Sequence, residues 1–175
     1  KVINDIITEL LPKLIGKYQI IHQTGPKQFD EVKTYAGVIL AKETMRTHYK
    51  PYPYLNDLQT KMFGGASDMV ISRAGSTIFE IAAWGKPSII IPGRPEIYHA
   101  DHQRKNAYHY ARTGASITIE EKNLTASILL NQIELILEHK DRYDAMARHA
   151  KQFYNPDAAK LIAAEAIRIA LEHEK

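Results

Sequence analysis

The hydrophobic pattern changes period several times along the chain, and those changes predict the elements. Val2, Ile3, Ile6, Ile7, Leu10, Leu11 and Leu14 recur at helical spacing, and Gly16 ends that run before an extended stretch from Tyr18 to His22. A Gln23-Thr24-Gly25-Pro26 turn follows, then a mostly helical segment from about 27 to 47. A short extended piece over 49–54 carries Pro51 and Pro53, which fits an edge strand or an exit loop. Asn56 or Asp57 is placed to cap a short helix with Leu58 and Met62 on one side, running into Gly64 and Gly65.

The most informative stretch is Asp68 to Pro92. It reads as strand, tight turn through Gly75, capped helix and a second strand into Pro92. That is one complete βαβ unit. In such a unit the start of the helix aims unpaired backbone N–H groups at the carboxyl edge of the sheet, where phosphates can be held. Downstream, a helix over about 102–112, a Gly114 stop and a strand over 115–119 are expected, with Thr125, Asp141 and Asn155-Pro156 as N-caps of three closing helices. Strands and helices alternate with crossovers long enough for parallel pairing, so the fold class is α/β with a doubly wound parallel sheet, Rossmann-like.

Composition narrows the function classes. The 175 residues suit one domain with a substantial core. The start at Lys1 inside a helix pattern suggests a piece of a longer protein. The net charge of +3 comes from 23 basic and 20 acidic residues without a dense basic run, so nucleic acid is not implied. With zero cysteines there is no disulfide and no thiolate metal site, and no apolar run approaches the length of a membrane span. A cytoplasmic setting is the default.

The candidate chemistry lies in two clusters. In the first, Arg73 and Gly75 occupy the strand-to-helix turn: glycine permits positive φ or close backbone approach, and arginine can reach a diphosphate. An ordinary tight turn with an exposed arginine fits equally. Ser76 and Thr77 can cap the helix or lend hydroxyls to phosphate. Glu80, three residues after Thr77, has capping-box spacing, and the same carboxylate could instead accept from a ribose diol. Spacing alone favours the cap. The second cluster, His99 to Ala107, holds Asp101, His102, Gln103 and Asn106, whose amides suit sugar hydroxyls. Here the plainer reading is a helix start capped by Asp101, and a metal on His99 and His102 lacks supporting ligands. A Walker loop, a nucleophile elbow and a G-x-G-x-x-G motif are all missing from the sequence.

Together, Ser72 to Pro87, then Asp101 to Ala107, then Gly114-Ala115 resemble the carboxyl-terminal, donor-binding half of MurG-type glycosyltransferases. Ile21 to Gly25 and Asn155 to Ala159 fit the same pattern, so the resemblance spans nearly the whole chain. It implies a GT-B enzyme that moves N-acetylglucosamine from UDP-N-acetylglucosamine to lipid-linked muramoyl pentapeptide at the inner membrane face, inverting the anomeric centre without a metal. It further implies that residues 1–175 form the donor-binding domain. Glu80 then binds the ribose, Arg73 and the turn Gly75, Ser76, Thr77 face the diphosphate, Gln103 touches the donor sugar, Leu55 holds uracil through its backbone, and Asn106 is a further contact. The family turn usually carries one more residue between the glycine and the glutamate. The acceptor site and general base are implied to lie in an amino-terminal domain, leaving no catalytic residue in this chain. Alternatives are the donor half of another lipid-linked N-acetylglucosaminyltransferase, a nucleotide-sugar epimerase of the same architecture, or a binding subunit docking through the apolar final helix.

Overall fold

The computed structural model describes residues 1–94 and 101–172. Among these residues five strands and eight α-helices follow one another: α1 (Val2–Leu14), β1 (Ile20–Gln23), α2 (Phe29–Ile39), β2 (Tyr49–Tyr52), α3 (Asp57–Ala66), β3 (Val70–Ser72), α4 (Thr77–Trp84), β4 (Ser88–Ile90), α5 (Asp101–Arg112), β5 (Ser116–Thr118), α6 (Ala126–Leu137), α7 (Lys140–Phe153) and α8 (Ala158–Glu172). All strand pairs are parallel, and among the described residues they form two ladders, β1-β2 and β3-β4-β5. The expected parallel α/β fold is present, with the sheet divided between those ladders.

β4 is the central strand of its ladder, and alternation sends its side chains to two cores. Ile89 and Ile91 join a core built from Leu10, Leu11 and Leu14 of α1 and Leu129, Ile133 and Ile136 of α6. Ile90 faces the other way, into a cluster with Ile78 and Ile81 of α4, Tyr110 of α5 and Ala150 of α7. Helices therefore cover both faces, which is what a strand apolar on both sides requires. Burying a side chain such as Ile89 or Leu129 completely contributes about 2 kcal/mol against exposure.

Several local expectations are corrected. The helix expected over 27–47 stops at Ile39, because residues 41 to 47 are all exposed and offer no apolar stripe to pack. The Asn56 cap forms, and it is a full capping box: Asn56 Oδ1 accepts from Gln59 N at 2.9 Å while Gln59 Oε1 accepts from Asn56 N at 3.0 Å. Thr125 caps α6 through a bond from Ile128 N. Asp141 does not cap α7, which begins at Lys140 after His139. Asn155 accepts from Asp157 N in a turn that precedes α8 rather than capping it directly. Gly114 (φ +82°) ends α5 in the left-handed region, as expected, and Gly85 (φ +66°) does the same for α4.

Candidate functional site

The carboxyl ends of β3, β4 and β5 lie side by side, and three charged residues just beyond them converge. Glu121 is buried, its side chain 3% exposed, and it pairs with Arg73 Nη2 and, at 3.0 Å, with Arg94 Nε. Arg73 is further fixed because its Nη1 donates to the carbonyls of Ile91 (3.2 Å) and Pro92 (3.1 Å). A carboxylate this buried is tolerable only with its charge compensated, and two guanidinium groups supply that compensation. Arg73 thus braces β3 against the exit of β4.

The same edge carries the start of α4. Neither Ser76 nor Thr77 caps it: the helix has no side-chain cap bond, and the box expected between Thr77 and Glu80 is not formed. Ser76 already sits in helical backbone geometry, whereas a capping side chain needs an extended residue to reach forward. The spacing had favoured the cap. Glu80 is instead exposed and makes no hydrogen bond or ion pair among the described residues. The amides of Gly75, Ser76 and Thr77 likewise have no acceptor among the described residues. Gly75 lacks the positive φ that the turn suggested, and nothing lies within 4 Å of where its Cβ would stand. Three N–H groups without acceptors among the described residues, at and just before a helix start and approachable over a glycine, suit an anion.

Two amides from α5 close the edge. Gln103 Oε1 accepts from Gly93 N at 3.0 Å, and its Nε2 makes no bond among the described residues. Asn106 Nδ2 donates to Ala74 O at 3.2 Å, tying α5 to the β3-α4 turn. Arg73, the Gly75 to Thr77 turn, Gln103 and Asn106 are therefore linked through the β3-α4 turn and the exit of β4, while Glu80, on α4, makes no bond to them. α5 begins at Asp101, whose carboxylate pairs with Lys105. His99 lies outside the described residues. No group of three or more potential metal-ligating side chains occurs among the described residues.

Leu55 stands on the other ladder, past the end of β2. Its N–H donates to Gln23 Oε1 at 3.0 Å, so β1 and β2 are joined there by a side chain. Behind this pair lies a buried polar network. Asn4 Nδ2 donates to Thr24 O (2.8 Å) and to Gln28 Oε1 (2.6 Å), which leaves Asn4 Oδ1 to accept from His22 Nε2 at 3.1 Å. His22 Nδ1 then accepts from the Tyr49 hydroxyl at 2.9 Å. Burial pushes the His22 pKa down to about 4 and that of Tyr49 up to about 12, so both are neutral. The network fixes the Thr24 to Gln28 turn against the first turn of α1.

Sequence reasoning missed Arg94, Glu121, Gln23 and Asn4. For the first two a signal existed: charges of opposite sign directly after successive strands of a parallel sheet meet at its carboxyl edge.

A model of the glycosyltransferase family 28 C-terminal domain matches residues 1–162. The "UDP-N-acetylglucosamine--N-acetylmuramyl-(pentapeptide) pyrophosphoryl-undecaprenol N-acetylglucosamine transferase" of Limosilactobacillus reuteri is 35% identical over 177 aligned positions, covering 99% of this chain and 46% of that protein. The protein of the same name from Acetivibrio thermocellus is 35% identical over 91% of this chain and 42% of its own length. The chain thus spans less than half the length of these relatives. The crystal structure of MurG from Acinetobacter baumannii superimposes with a TM-score of 0.72 at 25% identity, over 92% of this chain and 44% of that one. The chain belongs to the glycosyltransferase family 28 C-terminal domain family and is homologous to MurG over nearly its whole length.

Proposed function

We propose that this chain is the donor-binding domain of an enzyme that transfers N-acetylglucosamine from UDP-N-acetylglucosamine to a lipid-linked N-acetylmuramoyl pentapeptide, in peptidoglycan synthesis. The observation that carries the reading is the 35% identity, over 99% of the chain, to a relative bearing that transferase name. The geometry supports it. The amides of Gly75, Ser76 and Thr77, with the two hydroxyls, face the donor diphosphate, and the α4 dipole stabilises the charge left on UDP as the glycosidic bond breaks. Glu80, without a capping role, accepts from the ribose hydroxyls. Gln103 offers its Nε2 to the sugar, and Asn106 holds the turn through Ala74. Arg73 adds positive charge beside the diphosphate while its fork grips protein carbonyls. Leu55 reads uracil through its backbone, which requires the Gln23 carboxamide to yield the N–H it occupies.

In this reading the acceptor, the general base and the contact with the cytoplasmic membrane face belong to the part of the enzyme that the relatives carry beyond the matched region. The chain by itself binds donor and does not turn over. Among the described residues no helix is long and apolar enough to cross a membrane.

The test is an NMR titration with UDP-N-acetylglucosamine, UDP-glucose and UDP, following the amides of Leu55, Gly75, Glu80 and Gln103. Saturable shifts at those residues, strongest for the N-acetylglucosamine donor, are expected. Binding of none of the three at millimolar concentration overturns the assignment.

A further inference from the structure

Arg94 is not a residue that the donor reading uses, yet its placement is unusual. It follows β4, and its side chain is 46% exposed while its Nε is fixed at 3.0 Å to a carboxylate that is only 3% exposed. That ion pair lies along one edge of the guanidinium. Its Nη1 and Nη2 groups, four N–H donors in a plane, have no partner among the described residues. Arg73, by contrast, is committed: Nη1 carries two carbonyls and Nη2 faces Glu121.

The shared carboxylate sets the two guanidiniums side by side, and Arg73 opens the turn that leads into α4. Arg94 also follows Gly93, whose N–H is held by Gln103. Arg94 thus adjoins both Arg73, whose chain leads into the α4 turn, and Gly93, which Gln103 holds. Two arginines share one buried glutamate, and of the two only the exposed guanidinium keeps its fork unpaired among the described residues.

Resting on the donor-binding reading, we infer that Arg94 is the bidentate arginine donor to the diphosphate of the nucleotide sugar, with Glu121 as its positioning residue and Arg73 as a structural brace. A free guanidinium on a flexible stem loses rotamer freedom whenever it grips an anion. One already held through Nε by a buried carboxylate has lost most of it, so its remaining fork binds at lower entropic cost. Glu121 thus acts on the ligand through Arg94 rather than by touching it.

Calorimetric titration of this chain and its variants with uridine, UMP and UDP tests the inference. Arg94→Ala, at a half-exposed position that leaves both cores untouched, is expected to weaken UDP about tenfold, with uridine unchanged and Arg94→Lys recovering only part of the loss. Glu121→Gln is expected to weaken UDP as well, and to add little in the Arg94→Ala background, because both changes remove the same contact. Equal UDP affinity for Arg94→Ala and the wild type overturns the inference while leaving the donor reading intact. So does a Glu121→Gln loss that is equal for uridine and UDP, or fully additive with Arg94→Ala, since each marks a purely structural carboxylate. Absence of UDP binding to the wild type removes the donor reading and the inference with it.

Discussion

Replacing His22 by glutamine should flatten the acid side of the stability profile. His22 is 8% exposed and bonded on both ring nitrogens by neutral partners, Asn4 and Tyr49. With no carboxylate to favour the imidazolium, burial alone lowers its pKa from 6.5 to about 4. The unfolded chain therefore binds a proton more readily than the folded one, so stability is full above the unfolded value and falls as pH drops from about 6.5 toward about 4. At about 1.4 kcal/mol per tenfold difference in proton affinity, the separation sets a ceiling of about 3 kcal/mol. Near pH 5 the linkage relation gives a loss of about 2 kcal/mol relative to pH 7, a substantial share of a typical domain's stability. Urea unfolding of wild type and His22→Gln at matched pH values measures it, because the exposed titrating groups are common to both and cancel in the difference. The variant is expected to be less stable at neutral pH and to lose about 2 kcal/mol less than wild type between pH 7 and pH 5. Parallel profiles for the two proteins would refute the claim that burial keeps this imidazole neutral.

Glu80→Ala is expected to change thermal stability by no more than about 0.5 kcal/mol, since no cap is lost, while weakening uridine binding roughly tenfold; a drop in melting temperature with unchanged affinity would restore the capping role. Gln23→Ala frees the Leu55 N–H and is expected to tighten UMP by up to about fivefold, the worth of one neutral hydrogen bond, in a fluorescence or calorimetric titration. Weaker UMP binding would mean that Gln23 supports the base loop instead of competing for it. Asn56→Ala removes both arms of a formed capping box and is expected to cost about 1 kcal/mol in chemical denaturation, with the helix-propensity change at this exposed position contributing little.

The polar constellation shows why a site is harder to read than its scaffold. Thr77 and Glu80 have the spacing of a capping box, but the spacing of Asn56 and Gln59 is identical, and only the second pair forms one. The difference lies in the residue before the helix: Asn56 is extended, whereas Ser76 has already entered helical geometry. The β3-α4 turn that delivers Ser76 in this geometry is itself tied to distant parts of the chain, through Arg73 to Ile91 and through Ala74 to Asn106.

What the sequence determined by itself was the order and type of the elements, the parallel α/β class, the βαβ unit around Gly75 and the helix stop at Gly114. These rest on hydrophobic period and glycine chemistry, which act over a few residues. Tertiary structure alone decided the end of α2 at Ile39, the division into two ladders, and the side chains that meet at the carboxyl edge. Arg73, Arg94 and Glu121 come from three separate strand exits, and His22, Asn4 and Tyr49 from two strands and a helix. Such contacts have no periodicity along the chain, because their spacing in sequence is set by the lengths of the crossovers between them. Only when the strands pair are their ends brought within hydrogen-bonding distance.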